Sequence, residues 1–173
     1  PFAVAIARFR LLLAALRADG SDARLWLPGA RERGREAYIA ELEAEATRLG
    51  IPAAIAFTAA TSRISDAYAA SNLVLQLSRK PEAFGRTVIE ALSVGRPVVG
   101  WAHGGVGELL AELQPQGMVP GFDEAALLAT TRAMLTHPPA SLATMPYTLR
   151  AMQDATLALY QELADDTFQR TAH

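Results

Sequence analysis

Strand-like runs alternating with amphipathic stretches predict an α/β domain, a parallel sheet covered by helices on both faces. Three observations carry this. Short apolar runs such as Asn72-Leu73-Val74-Leu75-Gln76-Leu77 and Pro97-Val98-Val99-Gly100-Trp101 recur between helix-spaced segments. Glycines fall where helical spacing stops, at Gly20 and Gly50. With 173 residues, 51% hydrophobic and 20% charged, the chain can bury one sizeable core, so a single domain is expected over residues 1–173.

Taken in order, residues 3–18 place Phe9, Leu12, Leu13 and Leu16 on one helical face, ended by Gly20. Arg24 to Leu27 reads as a strand stopped by Pro28-Gly29, and Arg31 to Arg35 as a charged loop. Glu36 to Leu49 is an amphipathic helix. Ala53 to Thr58 is expected to be a short buried strand, followed by a helix through Tyr68 capped by Thr61 or Ser62. Beyond the central strand, a helix and the strand Pro97 to Trp101, Val106 to Leu113 reads as a helix starting at Gly104-Gly105. Gly117 to Pro120 is a brief strand, and Asp123 caps a helix to about Leu135 that His137-Pro138-Pro139 breaks. The last helix, Tyr147 to Leu163, has an apolar seam of Leu149, Met152, Thr156, Leu159, Tyr160 and Leu163. Trp26 and Trp101 are expected to pack in the core or at strand ends.

Charge and composition narrow the function. A net charge of -2 argues against a nucleic-acid or anionic-membrane binder. The absence of cysteine removes disulfides, thiolate metal sites and cysteine nucleophiles, and suits a cytoplasmic protein. Arg8 and Arg10 interrupt the apolar N-terminal stretch, so neither a signal peptide nor a membrane span is expected. No His or acid spacing suggests a metal. Pro1 in place of a starting methionine is read as the start of a fragment or processed chain.

The chemistry concentrates in Pro81-Glu82-Ala83-Phe84-Gly85-Arg86-Thr87-Val88-Ile89-Glu90. This loop leaves the carboxyl end of a strand, where open α/β sheets bind ligands, and runs into a helix whose first N–H groups suit an anion. Gly85 lets backbone approach a ligand closely. A bound diphosphate group would carry about two negative charges against about half a positive charge at a helix start, so cations would be needed; Arg86, Arg79 and Lys80 are candidates. Arg79 and Lys80 read more simply as a solvated loop pair. Glu90 lies about 6 to 9 Å along the helix from its first residue. There a carboxylate suits a hydroxyl pair, and a ribose supplies one. The alternative for Glu90 in isolation is an ordinary surface acid.

These residues resemble the E-x7-E motif of retaining glycosyltransferases of the GT-B architecture. The likeness continues through F-G, E-A-L and G-R-P-V-V into Gly104-Gly105-Val106-Gly107-Glu108, similar to that family's G-G-x-x-E, and covers roughly residues 20–165. The resemblance implies a Rossmann-like fold, the C-terminal half of such an enzyme, holding a nucleoside diphosphate sugar and using no cofactor. It implies that Glu82 touches hydroxyls of the donor sugar near the reacting carbon and is the catalytic residue, a carboxylate placed to stabilise developing oxocarbenium charge. Phe84, Gly85, Arg86 and Thr87 would cradle the diphosphate, and Glu90 would hold the ribose. Gly104 and Gly105 would lie beside the donor; a plain helix-start turn is the alternative. Phe57-Thr58-Ala59 stands where the family has F-x-G, a loop whose backbone reads the base, so Thr58 joins the binding residues with Ala59 replacing the glycine. Gly29 resembles another family glycine loop. His103 and the Arg31, Arg33, Arg35 cluster are read as bystanders.

One element of the resemblance is missing: a first strand and a loop like G-R-x-x-x-x-K-G, whose Arg and Lys meet the donor's phosphates. The chain is therefore read as lacking that strand and the N-terminal acceptor-binding domain, which leaves a sheet edge uncovered. On this reading the fragment is inactive by itself, and a membrane contact could come only through the absent half. The variant F-G-R-T-V-I-E-A resembles bacterial enzymes of cell-surface polysaccharide assembly. The competing readings are a nucleotide-sugar epimerase on a related fold and a non-catalytic module whose partner surface is the final helix.

Overall fold

The computed structural model describes residues 2–171, with side-chain surroundings for residues 9–164. The chain forms two compact units, Pro1–Leu142 and Ala143–His173. The first holds helices α1 (Phe2–Ala18), α2 (Glu36–Arg48), α3 (Ile64–Ala70), α4 (Arg86–Ser93), α5 (Gly104–Leu113) and α6 (Glu124–Thr136). Its strands are β1 (Leu25–Leu27), β2 (Ile55–Phe57), β3 (Val74–Gln76), β4 (Val98–Trp101) and β5 (Met118–Val119).

All the strand pairs are parallel, but they fall in two sheets, β1-β2 and β3-β4-β5, where one sheet was expected. Among the described residues no strand pairs with both β1 and β3, so each keeps one open edge. Helix α1 packs on both sheets. Leu12 and Leu16 join Leu77, Val99, Trp101, Val119 and Leu127 in one core cluster. Leu13 joins Ala46, Ile51 and Ala54 in another, with Leu25 and Ile55 against it. Apolar residues on more than one face of α1 thus tie together two sheets that, among the described residues, share no strand pair. At the end of α1 the Gly20 N–H donates to the Arg17 carbonyl (3.0 Å) and the Ser21 N–H to that of Leu16 (3.3 Å), which satisfies two of the helix's last carbonyls.

Several elements depart from expectation. Ala53 and Ala54 belong to a 3-10 turn, Pro52–Ala54, and of the strand Ile55–Phe57 only Phe57 is buried. Neither Thr61 nor Ser62 caps α3. Its N-cap is Arg63, and the Thr61 hydroxyl instead accepts the Arg63 N–H in a local turn (3.0 Å). Asp123 does cap α6, accepting the Ala126 N–H at 2.9 Å. Trp26 is 43% exposed rather than packed, its indole N–H donating to Thr58 Oγ1 (2.9 Å), whereas Trp101 is 1% exposed.

The second unit holds α7 (Leu149–Thr171), longer than the sequence pattern suggested. Its seam residues are exposed, Leu149 at 68% and Tyr160 at 65%, so they do not form the core that helical spacing usually marks.

The central strand β4 is buried along its whole length. Its start is finished by a side chain. Gln114, 4% exposed, accepts the Val98 N–H on Oε1 (3.0 Å) and donates Nε2 to the Val98 carbonyl (3.1 Å), as a neighbouring strand would. A buried backbone group without a partner costs about 1–3 kcal/mol, and Gln114→Leu orphans two. We expect that variant to lose about 2–4 kcal/mol in urea unfolding with an unchanged denaturant slope. A loss below about 0.5 kcal/mol would show that the Val98 groups find other partners.

Candidate functional site

The parallel register of β3 and β4 sets the site. Gln76, the last residue of β3, lies opposite Gly100 in β4, so the loops leaving the two strands emerge side by side. The first runs from Leu77 to Gly85 into α4, and the second from Ala102 to His103 into α5.

These loops touch backbone to backbone. The Gly105 N–H donates to the Glu82 carbonyl at 2.7 Å. A Cβ on Gly105 would lie 2.7 Å from both the Ala83 carbonyl oxygen and Phe84 Cα, and one on Gly104 would lie 2.8 Å from the Glu82 carbonyl oxygen. Gly104 also has φ +57. Both glycines are thus required by the packing of the Glu82 loop itself, and the Gly105 N–H is already used. Gly85 is the N-cap of α4, with φ +79, and a Cβ there would meet Val106 Cγ2 at 3.0 Å. The left-handed turn at Gly85 aims the chain into α4 and leaves the first N–H groups of that helix, at Arg86 and Thr87, without an intrahelical acceptor. Phe84, 50% exposed, stands beside this helix start.

The two acids flank it. Glu82, partly buried, accepts from Gln76 Nε2 at 2.7 Å. Glu90 has a partner on each carboxylate oxygen: Arg86 Nη2 on Oε1 (2.8 Å) and the Tyr68 hydroxyl on Oε2 (3.3 Å). Tyr68 comes from α3, which packs on α4. Arg86 therefore folds back along the helix in an i,i+4 pair rather than projecting past its start. Its side chain is 82% exposed, and such pairs are worth only about 0.3–0.5 kcal/mol, so an arriving anion can recruit it cheaply.

Around Glu82 the loop is braced by His103, expected to be a bystander, and by ring contacts that nothing in the sequence marks. His103 donates Nε2–H to the Ser78 carbonyl (3.1 Å), because a carbonyl can only accept. The ring of His103 and that of Trp101 both lie against Phe122, with centroids 5.4 and 5.7 Å away. The Arg79 guanidinium sits 4.9 Å over the same ring, so Arg79 is stacked and not merely solvated. Phe122 has φ +66, an uncommon conformation for a bulky residue. Gln76, Ser78, Lys80, Glu82, Trp101, His103 and Val106 together line a narrow cleft, and among the described residues the buried indole N–H of Trp101 has no hydrogen-bond partner.

Thr58 stands apart from this cluster. At the end of β2 it accepts from Trp26, its N–H donates to the Leu27 carbonyl, and its carbonyl accepts the Arg31 N–H (3.1 Å). Arg31 also donates Nε to the Phe57 carbonyl (2.9 Å) and pairs with Glu43, a fixed structural role for a residue read as part of a solvated loop. Among the described residues no group of three or more His, Cys, Asp or Glu could hold a metal, and no helix is long and apolar enough to cross a membrane.

Burial, and after it the charge of Glu90, hold the Tyr68 phenol above the ordinary tyrosine range, against a hydrogen bond with Thr87 that lowers it. The native state then keeps a proton that the unfolded chain loses near pH 10, so this contribution is full below that pH and is lost above it. We expect Tyr68→Phe to be less stable than the wild type at pH 8 and the gap to narrow above pH 10 in thermal melts. A gap independent of pH would contradict the assignment.

Comparison with known proteins fits this geometry. The family profile described as glycosyl transferases group 1 matches residues 5–147. No curated protein matches the chain in sequence. Among solved structures, Anabaena HepE in complex with UDP shares 24% identity at a TM-score of 0.69, over 94% of this chain and 44% of that one. A glycosyltransferase from Rickettsia africae shares 20% identity at a TM-score of 0.73, over 92% of this chain and 45% of its own. Sucrose-phosphate synthase from Thermosynechococcus elongatus shares 21% at a TM-score of 0.71, over 94% and 43%. The chain therefore spans less than half the length of these proteins. The fold is the Rossmann-like α/β arrangement of GT-B glycosyltransferase domains. With the profile covering most of its length, the chain belongs to the glycosyl transferases group 1 family.

Proposed function

We propose that the chain binds the donor, a nucleoside diphosphate sugar, as the donor half of a retaining glycosyltransferase. The observation that carries this is the helix start at Gly85, where the N–H groups of Arg86 and Thr87 have no intrahelical acceptor and an acid lies on either side, Glu82 and Glu90. Glu82 and Glu90 alone would repel a diphosphate. They suit a ligand that offers phosphate in the middle and hydroxyls at both ends, and a nucleoside diphosphate sugar is such a ligand. HepE, solved with UDP and with UDP-glucose, supports the donor class.

On this reading Glu90 takes the ribose hydroxyls, and Arg86 leaves Glu90 for the diphosphate. Phe84 and Gly85 contribute backbone to the cradle, and Gly104 and Gly105 hold the loop that carries it. Glu82 faces the sugar, where its carboxylate would stabilise positive charge developing at the anomeric carbon. Thr58 would line the base side. The reading calls for no cofactor. The open edges of β1 and β3 are where we place the strand bearing the missing Arg and Lys pair, and the acceptor would sit on a further domain of the protein. A cytoplasmic location and a role in polysaccharide assembly belong to this proposal too. The exposed apolar seam of α7 favours a compatible second reading, that this helix covers another protein domain.

Calorimetry with UDP, GDP and ADP tests the ribose assignment. Hydrogen bonds to a charged group are worth about 1.5–3 kcal/mol, so Glu90→Ala should weaken the preferred nucleotide about ten- to a hundredfold. Its 2′,3′-dideoxy counterpart should bind wild type and variant alike. Equal affinity of wild type and variant for the ribonucleotide would contradict the role of Glu90.

A further inference from the structure

We propose that Gln76 is the positioning residue for Glu82, an inference that rests on the sugar-facing reading of that acid. Gln76 interrupts the apolar run Leu73-Val74-Leu75 at the carboxyl end of β3, where a further aliphatic residue would fit the strand's character. Its side chain closes the five-residue loop Leu77 to Pro81 at its base. Oε1 accepts the Ser78 N–H (3.3 Å), and Nε2 donates to Glu82 Oε1 (2.7 Å). The amide can face only one way. A backbone N–H must meet the oxygen, which leaves the NH2 group for the carboxylate.

The other atoms of the loop show why this tether matters. Ser78 Oγ donates to the Lys80 carbonyl (3.0 Å) and His103 donates to the Ser78 carbonyl, so the backbone of the loop is held without Gln76. The Glu82 backbone is held separately by Gly105. What remains to be fixed is the rotamer of the Glu82 side chain. Among the described residues Gln76 is the single group that holds its carboxylate. The tether engages one oxygen and leaves Oε2 to accept a hydroxyl. It also comes from a strand end, a more rigid support than the loop. A flexible glutamate would lose rotamer entropy on each binding event, which the tether removes in advance.

The test is calorimetry on the protein with UDP-glucose, GDP-mannose and ADP-glucose against UDP, GDP and ADP, read as the affinity ratio of each sugar nucleotide to its nucleotide. Gln76→Met keeps length and loses the donor. Gln76→Glu keeps shape and sets a second carboxylate against Glu82. Both should reduce the ratio of the preferred pair about tenfold, as should Glu82→Gln, while the affinity for the bare nucleotide stays within about twofold. The inference is overturned if Glu82→Gln abolishes the ratio and both Gln76 variants keep it, because Glu82 then needs no tether. It is equally overturned if the Gln76 variants weaken nucleotide and sugar nucleotide alike, the signature of a structural brace. If Glu82→Gln leaves the ratio unchanged, or no pair shows one, the sugar-facing reading of Glu82 fails and takes this inference with it.

Discussion

The site depends on the contact between the Glu82–Phe84 backbone and the two glycines that begin α5. Parallel pairing of β3 with β4 brings the two loops to the same sheet edge, and the absence of side chains at Gly104 and Gly105 lets them close to hydrogen-bond distance. From that contact the rest follows. The Glu82 carbonyl is turned toward α5, Gly85 takes its left-handed turn against Val106, and α4 starts immediately after it at Arg86. A single Cβ at Gly105 would separate the loops and move Glu82, the helix start and the acid one turn further on together.

Electrostatics then decides what such a helix start can hold. About half a unit of positive charge cannot balance a diphosphate, and the nearest fixed charges are two carboxylates. The structure holds its cations in shallow arrangements: Arg86 in an exposed pair with Glu90, and Arg79 stacked on Phe122. Both are bound weakly enough to exchange partners. Glu90, by contrast, keeps a second partner in Tyr68 on a neighbouring helix, so its position survives the departure of Arg86. A mobile cation beside a fixed acid is a workable arrangement for a ligand with adjacent phosphate and hydroxyl groups.

Much of this was legible in the chain itself. Apolar runs and helix-ending glycines located nearly every element, and the ordered motif from Glu82 through Gly104-Gly105 named residues that the fold brings together, because both depend on local chemistry that spacing records. The remainder depends on contacts between segments distant in sequence. Nothing near Tyr68 announces that it meets Glu90, and the left-handed conformation falls on Phe122 and not on Gly121 beside it. Gln114 looks like a helix-end polar residue until its pairing with Val98 is seen. Thr58 is built into the other sheet, and the seam of α7 has core-like spacing without a core. Gln76 did leave a signal, a lone amide ending an apolar strand, and a half-buried polar group of that kind asks for a partner.

The most direct measurement is a crystal structure of the protein with its preferred nucleotide bound. The diphosphate should lie at the start of α4, within hydrogen-bond distance of the Arg86 and Thr87 N–H groups, with the Arg86 side chain swung from Glu90 to a phosphate oxygen and the ribose hydroxyls on the Glu90 carboxylate. A nucleotide bound elsewhere, or bound at this helix start with the Arg86–Glu90 pair intact and the ribose turned away, would contradict it.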